Sequence, residues 1–594
     1  MRIVPRFDPA QYAGRGAVGL MVPAVGGTVT RAGALAALER GKVRPALLGG
    51  VPGGKVRVLP SPSPGTRVTV YVALPPSGRT PNHTRYPVAV VGCGFHGLLT
   101  SSATRVGGLL SIADIAPAVV RLRTGGCDAS PLGWHASSDA PSQLAALDRR
   151  IHHVAKAQGW MLVAVLIAGG VLALIGGASG VVASVGFVAA SLILSTFDME
   201  GFWPLVLGVV GIASFFALTF RWRRLVPVLV AVFYVVFLAV LVADPSLSSL
   251  GVLGAHLDGG GRFYGVTNQL ETLLLAPTLA AAAADGAAWL VGLGILVLVT
   301  VGWSRAGADG GGIVVYAAAL AVLAVRMRGL ALTPRRAVAA AAGVVVVALA
   351  AVGLDAALGG SSHVTHAVGT GPGSVLGDIG RRLHLSYLTV TSSGGKGAEF
   401  AVGLAVLVAI AAFARRGPTL KAFLVGIAVS FLVNDSPVDV AFLGALGCWV
   451  LARWESVDSR AMRRSPVVLF ASVLLVLAAA GCGSQGTVQA TAQAVIGKIP
   501  KAVVSGKQLF SSSGCAACHT FKAAGAKGVI GPDLDKLPKY AKQAHQPLKS
   551  FVETSIVKPG AYIQPGYTNL MPKTYATLPP DQLAALVKFL ITKH

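Results

Sequence analysis

The sequence predicts a multi-domain membrane protein: an all-α polytopic bundle of about 11–12 transmembrane helices, an α/β segment before it outside the membrane, and a small all-α domain after it. Three observations predict this. Of the 594 residues, 54% are hydrophobic and only 12% charged, a balance foreign to ordinary soluble proteins. Apolar runs of spanning length follow one another between residues 160 and 481. The basic residues also change type at Cys482: 32 Arg and 5 Lys precede it, whereas 13 Lys and no Arg follow. So complete a break suggests two genetic histories joined end to end.

Five zones result. Residues 1–155 are rich in Arg, Gly and Pro and do not read as membrane. Residues 160–455 form the polytopic region, 462–482 a last apolar helix or signal, 483–504 a linker, and 505–594 the C-terminal domain. The formal charge is +26. In a chain this apolar, such an excess points to membrane topology and an anionic surface or partner. No nucleic-acid-binding motif accompanies it, so nucleic acid is not an expected partner.

The apolar runs lie near 160–178, 181–197, 203–220, 225–243, 267–284, 287–303, 311–325, 337–354, 399–414, 420–434, 437–452 and 464–481. Basic clusters stand at Arg221 to Arg224, Arg326 to Arg336, Arg415-Arg416 with Lys421, and Arg453 to Arg464. Each follows an odd-numbered run, so all four share one side. Positive loops stay in the cytoplasm, which places both terminal zones on the extracytoplasmic face of the cell membrane. Arg381, Arg382 and Lys396 depart from this pattern, but in a long loop, where the rule is weak. An exported N-terminal zone calls for a signal, and residues 1–15 hold Arg2 and Arg6 without a sustained apolar core.

The chemistry sits in Cys515-Ala516-Ala517-Cys518-His519. This C-x-x-C-H pattern suits thioether attachment of haem: two thiols on one helical turn reach two vinyl groups, and the adjacent imidazole meets the iron. A redox disulfide or half a zinc site would share the first four residues, yet no second C-x-x-C completes a zinc site. Upstream, Ser505 caps a short amphipathic segment, GKQLF. Downstream, Gly531-Pro532-Asp533-Leu534 offers a carbonyl and a rigid turn to orient His519. Met571, the only methionine after Met462, is the candidate second axial ligand, with core packing as its alternative role. His545 is the rival ligand, in a Lys/Gln/Pro-rich stretch that reads as exposed loop. Beyond Met571, the spacing of Leu583, Leu586, Val587 and Leu590 predicts a helix with one inward face.

On GKQLF, CAACH, IGPDL, SIVKPGAYIQPGYTNLMP and LPPDQLAALVKFL, residues 500–594 resemble a class I c-type cytochrome. The later stretches resemble those of domains that accompany haem–copper oxidases and related respiratory complexes. The resemblance implies one covalent haem c at Cys515 and Cys518, its iron held by His519 and Met571. It also implies a carrier of single electrons to or from a respiratory complex, rather than a stand-alone enzyme. Thirteen lysines against four acids give residues 483–594 about +9. Many of these lysines solubilise; a ring of them would also steer docking onto an acidic face of a respiratory-chain partner.

Met462-Arg463-Arg464 and the apolar run ending Ala479-Ala480-Gly481-Cys482 resemble a bacterial lipoprotein signal. The other reading is a twelfth transmembrane helix. Residues 86–117 resemble the last part of phosphatase/sulfatase-like domains on a group of bacterial polytopic membrane proteins, and Gly261 to Asn268 with Asn434-Asp435-Ser436 resemble motifs of that group. No acidic metal cluster precedes residue 85, and GFHG stands where an Asp-His-Gly motif would be expected, so His96 reads as structural. Cys93 and Cys127 share the oxidising side and are a candidate disulfide. Glu271, Asn268 and Asp435 are polar groups at or near membrane depth, the mark of a site or of an interfacial loop edge. The alternative function is therefore a transporter or a lipid-phosphate-processing membrane protein with an appended haem domain.

Overall fold

The structure, a computed structural model, describes parts of residues 2–38 and most of 68–124, 132–257, 263–357, 380–456 and 506–592. The chain divides into two compact units, Met1–Ile496 and Gly497–His594.

The first unit begins with a mixed sheet. Its strands are β1 (Arg2–Val4), β2 (Gly16–Val22), β4 (Val68–Ala73), β6 (Tyr86–Gly92), β7 (Gly97–Ser101), β8 (Leu109–Ser111) and β9 (Leu132–His135); β3 (Thr28–Thr30) and β5 (Arg79–Pro81) pair separately. The order is β1-β4-β6-β2-β7-β9, with β8 also on β2. Every residue of β2 is buried, as a near-continuous apolar run in a central strand requires. Its alternation serves two cores: Ala17 and Met21 join one, and Val18, Leu20 and Val22 the other. Two helices attend the sheet, α1 (Ala10–Ala13) and α2 (Ile112–Thr124).

The second of those cores is shared with the helical bundle. Leu144 and Ile151 of α3 (Ala140–Ile175), together with Leu250 and Phe263, complete it. The apolar run expected at 160–178 is thus the second half of a 36-residue helix. Its first half stays polar outward while Leu144, Leu147 and Ile151 repeat at helical spacing against the sheet. Buried Arg85 of the sheet segment pairs with Asp148 on that half. Arg105 fixes a second point, donating to the carbonyls of Ser304 and Arg305 at 2.8 and 2.9 Å and lying over the Tyr264 ring.

The bundle continues through α4 (Gly177–Thr196), α5 (Phe202–Thr219), α6 (Val226–Ala243), the short α7 (Pro245–Ser249), α8 (Asn268–Ala282), α9 (Gly286–Gly302), α10 (Gly310–Met327), α11 (Pro334–Ala357), α12 (Gly394–Phe413), α13 (Pro418–Val433) and α14 (Pro437–Glu455). Eleven of the twelve apolar runs fall on these helices; the twelfth, 464–481, lies outside the described residues. Among the described residues, eight helices are long and apolar enough to cross a membrane. α9 and α13 are apolar but a residue or two shorter, and α8, with Pro277 inside, is buried along its length. Phe215, Val232, Val236, Ile295 and Val346 are exposed on outer helices, an apolar surface that suits lipid. Close helix contact needs glycine at Gly177, where a Cβ would stand 2.4 Å from the Trp454 backbone.

Three of the basic clusters meet at one end of the bundle. Arg453 donates to the carbonyls of Ala173 and Leu174, and Arg223 lies 4.2 Å from the Trp454 ring centroid. Glu455 accepts from the amides of Gly417, Thr419 and Leu420 at the start of α13, beside Arg416, a carboxylate at the positive end of a helix. The sheet sits against the opposite end, through Arg105 and the loop between α9 and α10.

Among the described residues of the second unit, α15 (Cys515–Cys518), α16 (Leu537–Gln543), α17 (Leu548–Val557) and α18 (Pro580–Thr592) lie around one core. Leu586, Val587 and Leu590 of α18 are buried and Leu583 packs against the same cluster, the inward face expected from their spacing. Phe510, Phe521 and Phe589 form an aromatic trio with centroids 5.5–6.2 Å apart. Gly506 lets the N-terminal segment cross α18, since a Cβ there would stand 2.2 Å from the Ala585 carbonyl and Phe589.

One half-buried acid sets a pH dependence for the sheet segment. Asp114, in the first turn of α2, accepts from the Ser111 amide at 2.8 Å, and burial pushes its carboxyl up to about 6. A folded-state value above the unfolded one gives stability that is full below about 3.8 and lost as pH rises through about 6. The loss is on the order of 3 kcal/mol. Hydrogen exchange of α2 in the full chain, corrected for intrinsic rates, should show stronger protection at acid than at neutral pH. Asp114→Asn should flatten that difference; an unchanged profile would show that another group controls it.

Candidate functional site

The site is built from the C-x-x-C turn outward. Cys515 and Cys518 are the ends of α15, and the His519 amide closes the turn on the Cys515 carbonyl at 3.0 Å. A hairpin follows at once: β10 (Thr520–Phe521) pairs antiparallel with β11 (Ala526–Lys527). Gly525, at a φ of 69°, makes the turn. The Gly531 amide then donates to the Cys518 carbonyl at 2.7 Å, which brings the next loop back over the imidazole.

His519 Nδ1 lies 2.8 Å from the Pro532 carbonyl. A carbonyl only accepts, so Nδ1 carries the proton and Nε2 keeps its lone pair for a metal. Gly531 is packed against the same ring: a Cβ there would stand 2.6 Å from Cε1. Asp533 holds the loop by accepting from the Asp535 amide, and Asp535 accepts from the Lys522 amide. The groups that meet the imidazole itself here, the Pro532 carbonyl and Gly531, are backbone.

The two thiols are free and half-buried. Burial pushes Cys515 up to about 11. A redox C-x-x-C depends on a depressed, thiolate-forming cysteine, so this environment does not favour dithiol exchange. Cys515 and Met571 pack on the same apolar cluster, with Met571 half-buried. His545, the rival ligand, is exposed on the turn after α16. Tyr575 was not singled out by sequence. It packs on the cluster beside both cysteines, and burial first, then those two thiols, raises its phenol. An aromatic four residues past Met571 was the only signal.

The donor set suits haem c: two thiols one turn apart, an imidazole with its tautomer fixed, a thioether and an apolar wall. When bound, haem c supplies a one-electron iron couple. On the same unit, Lys522, Lys539, Lys542, Lys549, Lys558 and Lys588 are exposed.

Elsewhere, the motifs at residues 261–268 and 434–436 come together: Asn268 Nδ2 donates to Asp435 Oδ1 at 3.0 Å and to Ser436 Oγ at 3.2 Å. His96 is exposed, its ring tilted against that of Trp134 with centroids 3.7 Å apart, and Nδ1 on the Gly94 carbonyl. Among the described residues, no group of three or more His, Cys, Asp or Glu side chains could hold a metal ion. Cys93 is disulfide-bonded, and Cys127 lies outside the described residues.

Gly531→Ala should tilt the imidazole, because the new methyl cannot fit beside Cε1. The altered domain should keep its covalent haem but lose at least part of its low-spin axial signature in absorbance and electron paramagnetic resonance. Spectra identical to the parent would show that the loop yields without moving His519.

With this geometry in place, comparison with known proteins gives one positive result. No curated protein and no solved structure matches the chain. Residues 503–593 match the family model described as Cytochrome c, and they form a cytochrome c domain, which implies a covalently bound haem c and haem-based electron transfer.

Proposed function

We propose that this chain is a membrane-anchored electron carrier whose haem is joined to Cys515 and Cys518 and ligated by His519 and Met571. The observation that carries the reading is the His519–Pro532 hydrogen bond, which prepares Nε2 for iron directly beside two free thiols. Met571 suits a high-potential couple, because a thioether raises the potential relative to bis-histidine ligation. The helices anchor the chain, and the positive-loop pattern assigns the haem domain to the extracytoplasmic face. A cut before Cys482 would release it as a lipid-anchored carrier, and three acyl chains would hold it firmly. The donor or acceptor is a respiratory complex with an acidic face. A hydrolytic role for the N-terminal segment gains no support from the placement of His96.

Two measurements test this. Expressed with a haem-attachment system, the full chain should carry haem that survives a denaturing gel. Cys515→Ala combined with Cys518→Ala should lose it, while Met571→Ala should keep haem but lose the weak near-infrared Met–iron band. Haem on the double variant, or an unaltered band, would refute the respective assignment. The mass of the stained species, with and without a signal peptidase II inhibitor, reads out cleavage at Cys482.

Charge supplies the second measurement. Electron transfer to an acidic partner should slow as salt rises, since exposed charges are screened beyond about 8 Å at physiological ionic strength. A rate flat in salt would leave the lysines as solubilising groups.

A further inference from the structure

The bundle buries a carboxylate that the haem chemistry does not use. Glu271, one turn into α8, is fully buried. Asn434 Nδ2 donates to its Oε2 at 2.9 Å and to Ser430 Oγ at 2.7 Å, and Ser430 Oγ lies 3.4 Å from Oε1. Asn434 is 2% exposed, and its Oδ1 has no hydrogen-bond partner among the described residues. That oxygen faces the start of α10, where a Cβ on Gly311 would stand 2.8 Å away and Asp309 occupies the N-cap position without a side-chain capping bond.

Polar groups extend from this point both ways. Toward the end of the bundle that carries the sheet, half-buried Asn268 bonds to Asp435 and Ser436. Inward, Tyr316 donates its hydroxyl to the Glu271 carbonyl at 2.9 Å, and Tyr234 meets Thr278 Oγ1 at 2.7 Å. From Asn268 to Thr278 is about 15 Å of helix, roughly half the hydrocarbon core. Apolar packing would fill this path at less cost, so an ionisable group retained there marks a pathway or site.

We propose that Glu271 is a proton-binding site, filled and emptied from the bundle end that carries Asp435. The step is an acid–base one: a proton leaves water at that end, an O–H bond forms on Glu271, and no electron moves. The elements packed on α8 bring the ionisable groups that tune it. Asp435 precedes α14, and Asp439 lies on it with His256, Lys396 and Glu399 as ionisable neighbours. Asp309 and Tyr316 come from α10, Tyr234 from α6, and Arg382 from the segment before α12, on the Val433 carbonyl. α4 and α9 bring none, and α13 brings only Lys421, near its far end. The inference does not rest on the haem reading.

Infrared difference spectra of the full chain in membranes, acid minus neutral, test it. A protonated-carboxyl band that shifts in D₂O should appear, vanish in Glu271→Gln and change frequency in Glu271→Asp. In Asp435→Asn the band should remain but exchange with D₂O more slowly. A band unaltered in Glu271→Gln, or constant in intensity across pH, would overturn the proposal. Should Glu271→Gln fail to accumulate, Glu271→Asp decides, since an unshifted band would equally exclude Glu271.

Discussion

The C-terminal domain depends on one hydrogen bond, from His519 Nδ1 to the Pro532 carbonyl. An imidazole can place its proton on either nitrogen, and only one tautomer leaves Nε2 open. The carbonyl makes that choice, and proline gives it a rigid carrier. Around this bond the loop is over-determined: the Gly531 amide ties it to Cys518, and Asp533 and Asp535 brace it through backbone amides. The Phe510–Phe521–Phe589 trio anchors the hairpin that brings His519 to the loop. A short motif alone thus does not make the site; the carbonyl that orients His519 lies thirteen positions further along the chain.

The bundle obeys a different constraint. In lipid, helices solve the backbone problem, and side-chain polarity must find partners inside the protein. The structure meets this with short, local solutions. Thr278 and Thr300 bond back to carbonyls one turn earlier, and glycines such as Gly177 and Gly447 let helices touch. Glu271 is a departure, a carboxyl fully buried on a helix of the bundle. Hydrogen bonds satisfy it, but they do not explain why it is there.

Much of this was legible in the sequence. Periodicity and length located the apolar helices, because burial in lipid imposes an unbroken apolar run that few other contexts require. The C-x-x-C-H motif and the IGPDL loop were readable because their chemistry is local. The inward face of α18 was readable too, since Leu586, Val587 and Leu590 follow the helical period. What stayed hidden was long-range. The polar half of α3 carries no membrane signal, so its continuity with the first span emerges only against the sheet. Asn268 and Asp435 are 167 positions apart, and no local pattern pairs them. Tyr575 has its place only through the cysteines beside it.

The switch from Arg to Lys at Cys482 acquires a physical meaning from these contacts. In the first unit arginine works by shape. Arg105 and Arg453 each fork onto two carbonyls, Arg150 spans Ser195 and Asp198, and Arg223 lies on the Trp454 ring. These are tasks for a planar, weakly hydrated cation with several fixed donors. In the second unit the lysines whose side chains are described stand in water, and Lys536 makes the one ion pair found there among the described residues, with Asp533 at 3.2 Å. A compact, strongly hydrated charge on a flexible stem is poor at fixing geometry and good at projecting a field. Arginine therefore serves the unit whose helices and sheet must be clamped together. Under the proposed function, lysine suits the unit that would meet partners transiently, where a contact that holds too firmly would slow release.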